Sequence, residues 1–409
     1  MTDWPSRLGA RHGGMRRVLV ALRLGLALAG PALLSGAAPA AALENSVAEQ
    51  ILFEAVQSDD VELADFALSK GARVDGRDAR GLTPLLIAAL FDSPGALELL
   101  LERGADPAAA RERDGLTALH LAAYRGHHRL IRPLIAAGAP VAARTAIHGK
   151  TPLHLAARWT HRAAVAALID GGAPLEARDD RKGNTPLIEA ALGPDNLAVI
   201  AELLAAGANI DAAAKNGGTA LHAAGRRGHR DIVQLLLSEG AEVGAVEGEG
   251  RTVLFLAAGN GHAEVVRDLT RAGASPETAS RDGKTALGRA AVGGHAETVA
   301  VLLEAGARVD RPEAGGRTPL ILAALGDRPE VLRLLIGAGA RVDAREAETG
   351  NTALMLAANR GYLEVLRSLI EAGANVHAKA ADGWTALEAA EMVGDEDAAA
   401  LLRAADARE

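Results

Sequence analysis

The sequence predicts an all-α solenoid of about eleven helix-turn-helix units, joined by β-hairpin-like loops. Three observations carry that expectation. A Thr recurs every 33 or 34 residues, at Thr83, Thr117, Thr151, Thr185, Thr219, Thr252, Thr285, Thr318, Thr352 and Thr385. Gly stands two positions before each of them, from Gly81 to Gly383, and Leu two positions after, from Leu85 to Leu387. A second Gly closes the units, from Gly71 and Gly104 through Gly339 and Gly373. A fixed period of this length means one supersecondary unit copied and stacked, each copy burying its apolar face against its neighbours.

Each element follows from its residues. The first helix begins at the Thr, whose side-chain oxygen caps free N–H groups of the next turn. Pro follows at Pro84, Pro152, Pro186 and Pro319, where a missing N–H costs nothing and φ is already helical. Ala-Ala pairs such as Ala122-Ala123 and Ala357-Ala358 keep one face narrow, so two helices can approach closely. The second helix carries the bulk: Leu99-Leu100-Leu101, Ile232-Val233 with Leu235-Leu236-Leu237, and Val331-Leu332 with Leu334-Leu335. Their spacing fills one face at helical period. The closing Gly tolerates the left-handed conformation that stops a helix. An extended polar loop then leads into the next Gly-x-Thr.

The ends differ from the middle. Residues 45–80 read as an N-terminal capping unit, 81–382 as nine repeats and 383–409 as a C-terminal capping unit. The first keeps Ile51, Leu52, Ala55, Leu63 and Phe66 but lacks a Thr-Pro-Leu opening. The last runs Leu401-Leu402-Arg403 without a closing Gly and finishes in charged residues. Atypical polar ends keep a one-dimensional stack soluble.

Thr-Ala-Leu-His at 117–120 and 219–222, with Thr-Pro-Leu-His at 151–154, resembles the ankyrin repeat, whose signature is about 33 residues with Thr-Pro-Leu-His-x-Ala. The resemblance runs from Asn45 to the end. Its His is replaced by Leu86, Ile188, Phe255, Gly288, Ile321, Met355 and Glu388, which alters local hydrogen bonding and leaves the core pattern intact. It implies an ankyrin-repeat solenoid, a non-catalytic scaffold that binds a protein partner.

The first forty residues stand outside the period. Arg7, Arg11, Arg16 and Arg17 precede an apolar run from Val18 to Leu34, then small residues through Ala38-Pro39-Ala40. Basic, apolar, then A-x-A is the layout of a secretory signal. Cleavage after Ala40 or Ala42 is expected, with Met15 as an alternative start. Arg23 interrupts the run, which is short for a membrane span, so no stable anchor is expected after cleavage. The Arg-over-Lys and Ala bias looks bacterial, so the expected location is the periplasm or the exterior. Residues 1–40 hold five Arg and one Asp, so their removal takes the net charge from −8 to −12.

Catalytic and metal chemistry find little support. Zero Cys removes disulfides, zinc-thiolate sites and thiol catalysis. Gly149-Lys150-Thr151 and Gly283-Lys284-Thr285 mimic the end of a phosphate-binding loop. The earlier Gly which that motif needs is replaced by Arg144 and Thr278, and both triplets fall in the repeat register. His120, His154 and His222 sit at the repeat's motif position and read as local hydrogen-bonding braces. His127-His128 and His161 could meet a metal one repeat apart, but neither Cys nor a helical His-x-x-x-His pair joins them. The expectation is no enzyme, no cofactor and no metal.

In proteins similar to this one, partners contact the loop tips and the exposed face of the first helices. The resemblance places the variable positions one residue before the Thr and seven and eight after it. Transferred onto this chain, these give Leu82, Phe91, Tyr124, Arg125, Arg158 and Trp159 as candidate partner-binding residues. Arg226, Arg227 and Arg251 continue the series. Phe91, Tyr124 and Trp159 occupy three consecutive repeats in a chain whose aromatic content is only 2%, and aromatics with Arg carry most interface energy. An acidic or aromatic-bearing protein segment is the expected partner, and a monomer the expected state. Nucleic acid is not expected, because the net charge is negative. A secreted effector-like protein acting on another cell's proteins is the alternative, an enzyme with an unrecognised site the more distant one.

Overall fold

The computed structural model describes residues 40–407 apart from 194, with side chains described from residue 46 onward. The predicted leader therefore lies outside the described residues, save for its last position. Among the described residues 22 α-helices form eleven consecutive pairs. None of them is long and apolar enough to cross a membrane. Contacts divide the chain into two compact units, one ending at Pro174 and the other beginning at Leu175.

The first unit holds four helix pairs: Ala40–Gln57 with Val61–Ser69, Pro84–Phe91 with Pro94–Glu102, Ala118–Arg125 with His128–Ala136, and Pro152–Arg158 with Arg162–Asp170. The second unit holds seven, from Pro186–Ala191 with Leu197–Ala205 to Ala386–Val393 with Glu396–Asp406. Within each unit, first helices pack on the first helices of neighbouring repeats and second helices on second helices. That arrangement follows from residue size. Ala88-Ala89, Ala122-Ala123, Ala290-Ala291 and Ala357-Ala358 are all fully buried, where a larger side chain would hold the first helices apart. Leu97, Leu100, Ile131, Leu134, Val233 and Leu236 of the second helices complete the core.

The recurring Thr does what its position requires. It is buried in nine repeats, with extended backbone, and Thr83 Oγ1 accepts the N–H of Leu86. The residue three places on supplies the return contact in several chemical forms. At His120 and His154 the ring Nδ1 bonds both the Thr N–H and its hydroxyl. Glu388 does the same through a carboxylate, at 2.8 and 2.9 Å. Where Gly288 leaves that place empty, Glu313 of the next repeat reaches in, and accepts the N–H and hydroxyl of Thr285 at 2.7 and 3.1 Å. Burial raises the Glu313 pKa above the ordinary carboxylate value.

The loops are hairpin-like to different degrees. Val246–Glu247 and Arg251–Thr252 form a paired two-stranded hairpin. Single bridges join Ala110 to Thr117 and Arg345 to Thr352. At four places an Asp ties one loop to the next: Asp75, Asp211, Asp310 and Asp343 accept the backbone N–H of Asp106, Glu242, Arg341 and Asn375. These acids pair at the spacing of one repeat, a regularity beyond the helix pattern itself.

Candidate protein-binding surface

The predicted site residues separate into three groups. Tyr124 and Trp159 end consecutive first helices of the first unit, and their rings meet edge to face with centroids 5.7 Å apart. They remain 42% and 51% exposed. Phe91, at the end of the preceding first helix, is 38% exposed, but the ring pair among the described residues is Tyr124 with Trp159. The Arg125 guanidinium lies 5.8 Å from the Tyr124 ring centroid, within cation–π reach. Arg158 is half-buried, and its Nη1 is buried without a hydrogen-bond partner.

Arg226 and Arg251 do a different job. Both bridge to Glu247, a carboxylate only 2% exposed that also accepts from Asn216 Nδ2. Burying that charge unpaired would be costly, so the two guanidiniums are committed inside their own unit. Arg227 is exposed and makes no ion pair with a carboxylate among the described residues.

Leu82 corrects the transfer from the repeat signature. It is 2% exposed and belongs to the core. Its backbone N–H and C=O are both taken by Asp78, at 2.9 Å each, which turns the side chain inward. An apolar Leu follows the hydrophobic gradient, whereas Trp384 at the equivalent position stays 42% exposed.

The turn after each first helix sets how these side chains project. A left-handed residue is required there, supplied by Gly126 at φ 77° and Asp92 at φ 59°. In the third repeat the position is Thr160, at φ 60°. A β-branched residue in this region is an outlier and costs about 1–2 kcal/mol. The strain falls directly beside Trp159.

The His residues that open the second helices form a set of inter-repeat clamps. His127 Nδ1 lies 2.9 Å from the carbonyl of Ala89, and His161 Nε2 lies 3.0 Å from that of Tyr124. His262 and His295 repeat the contact on Arg226 and Gly259. Each ring satisfies a carbonyl that the helix end leaves free. His161 sits so close over Gly126 that a Cβ there would lie 2.6 Å from its Nδ1. Burial lowers the His161 pKa, in keeping with a neutral ring donating to a carbonyl. The Gly-His pairs at residues 126–127 and 261–262 were the available signal, but they do not reveal which carbonyl each ring meets. Among the described residues no group of three or more His, Asp or Glu is arranged to hold a metal. His127 and His161 act as clamps through their carbonyl contacts, and Thr151 and Thr285 of the Gly-Lys-Thr triplets serve as helix caps.

Family descriptions of ankyrin repeats match most of the chain. The sequence description of ankyrin repeats in three copies matches residues 107–179, 165–247, 187–280, 254–346 and 320–408. A second description of ankyrin repeats, in many copies, matches residues 52–101. A crystal structure of the human ASB11 ankyrin repeat domain is similar at 31% identity, over 54% of this chain and 98% of that one, with a TM-score of 0.49. No curated protein matches the chain. The fold and its surface define a repeat scaffold of the helix-turn-helix kind. The chain belongs to the ankyrin-repeat family, whose members are typically protein–protein interaction modules without catalytic activity.

Proposed function

We propose that this chain is an exported, non-catalytic scaffold that captures a partner protein on the first-helix ends and loop tips of its repeats. The observation that carries the proposal is the exposed Tyr124–Trp159 pair with Arg125 stacked on it. Large aromatics and Arg held rigidly at a surface supply contact area at small entropic cost. The partner segment carries acidic or aromatic side chains to match. Export rests on the basic and apolar leader at residues 1–40, and a bacterial source on the Arg and Ala bias.

Two measurements test this reading. Affinity capture from source cells should yield a partner with the native chain and lose it with Tyr124→Ala plus Trp159→Ala. The melting midpoint should stay nearly unchanged, because both rings are exposed at the surface, at 42% and 51%. A large loss of stability would show that the rings serve packing and would sink the site. Fractionation should find the chain outside the cytoplasm; full-length chain confined to the cytoplasm would remove the export claim.

A further inference from the structure

The repeats opened by Thr117 and Thr151 carry a charge segregation that the period does not require. From Gly115 to Ile169 the chain has no Asp and no Glu, but seven Lys and Arg and six of its 12 His. Outside that stretch 37 Lys and Arg face all 52 Asp and Glu. The fold leaves part of this charge uncompensated. Arg132 pairs with Asp170 at 2.8 Å, and Arg144, Lys150 and Arg162 are engaged with other groups. Among the described residues Arg125, Arg129 and Arg158 make no ion pair with a carboxylate, unlike Arg132.

Two of those three flank the aromatic pair. Arg125 follows Tyr124 at the end of one first helix, and Arg158 precedes Trp159 at the end of the next. Arg158 is half-buried, and its enclosed Nη1 has no hydrogen-bond partner; a carboxylate meeting the open part of this side chain would form a charge-assisted pair that the fold does not supply. The strained Thr160 backbone lies at the same edge, as held strain often does at ligand contacts.

We infer that this face takes an acidic peptide segment. Its carboxylates pair with Arg125 and Arg158, and an aromatic or apolar side chain lies on the Tyr124–Trp159 pair. The inference rests on the scaffold reading above and narrows it to two repeats and one partner chemistry. Three uncompensated guanidiniums suit a short acidic segment. A nucleic-acid strand draws its affinity from neutralising many phosphates, and most other cations of this stretch are already engaged.

The test is fluorescence anisotropy of the full chain with three fluorescein-labelled probes of equal length: a Glu-Glu-Phe repeat peptide, a Lys-Lys-Phe repeat peptide and oligo-dT. The acidic peptide should bind and the basic one should not. Arg125→Glu with Arg158→Glu should weaken binding at least about tenfold, while Arg271→Glu, at an exposed second-helix end outside the candidate surface, leaves it unchanged. Should the charge reversal fail to fold, Arg125→Gln with Arg158→Gln is expected to act in the same direction. No binding of the acidic peptide overturns the inference, as does binding that survives these substitutions. Oligo-dT binding as tightly as the acidic peptide overturns it in favour of a nucleic-acid strand. If capture of the natural partner still depends on Tyr124 and Trp159 while the acidic peptide fails, the scaffold reading stands without this refinement.

Discussion

At the residue scale, His120 shows how one position can brace a repeat and sensitise it to acid. Its ring is fully buried: Nδ1 meets the Thr117 cap and Nε2 the carbonyl of Lys150 at 3.0 Å. Desolvation pulls its pKa from 6.5 down to about 4. Because the folded state resists the proton that the unfolded chain accepts, the stabilisation is complete above pH 6.5 and lost as pH falls toward about 4. The loss should be on the order of 3 kcal/mol. Burial lowers the His222 pKa as well, so its contribution has the same sign. Urea unfolding across this range should show the slope, and His120→Leu should flatten it while costing about 1–2 kcal/mol at neutral pH through the lost brace. An unchanged acid slope would contradict the assignment.

At the element scale, the contact between one repeat's second helix and the previous repeat's first helix depends on the His clamp and the bare Gly beneath it. Gly126→Ala places a methyl group against His161 and a side chain at φ 77°. It should cost about 2–4 kcal/mol, left-handed strain plus overpacking. Gly104 has a similar φ of 82° but nothing within 4 Å, so Gly104→Ala should cost only the strain, about 1–2 kcal/mol. Thermal melting of the two variants measures the difference, and equal losses would mean that the clamp contributes nothing. The helix ends, caps and core faces were legible in the sequence because they follow from local residue order. The clamp was only half legible. The Gly-His pair is visible, but its carbonyl partner lies 36–38 residues away.

For the whole molecule, a stack whose repeats contact neighbours should lose structure regionally rather than all at once. Leu134→Ala removes a fully buried side chain from the second repeat and should cost about 2–5 kcal/mol. Hydrogen exchange should then show lost protection in the compact unit ending at Pro174, with residues beyond Leu175 largely retaining theirs. Uniform loss along the chain would show that the two units unfold as one.

The sequence by itself determined the repeat, its two helices and its caps, because a 33-residue code acts through neighbours in the chain and is copied ten times. It also named Tyr124 and Trp159 as surface residues. Only the tertiary structure decided which candidates remain available. Leu82 is drawn into the core by its Asp78-bound backbone. Arg226, although predicted alongside Arg125, is held by a carboxylate 21 residues further on. Burial and charge pairing are set by groups that meet through folding across loops and repeats, so no local pattern could have separated Arg226 from Arg125.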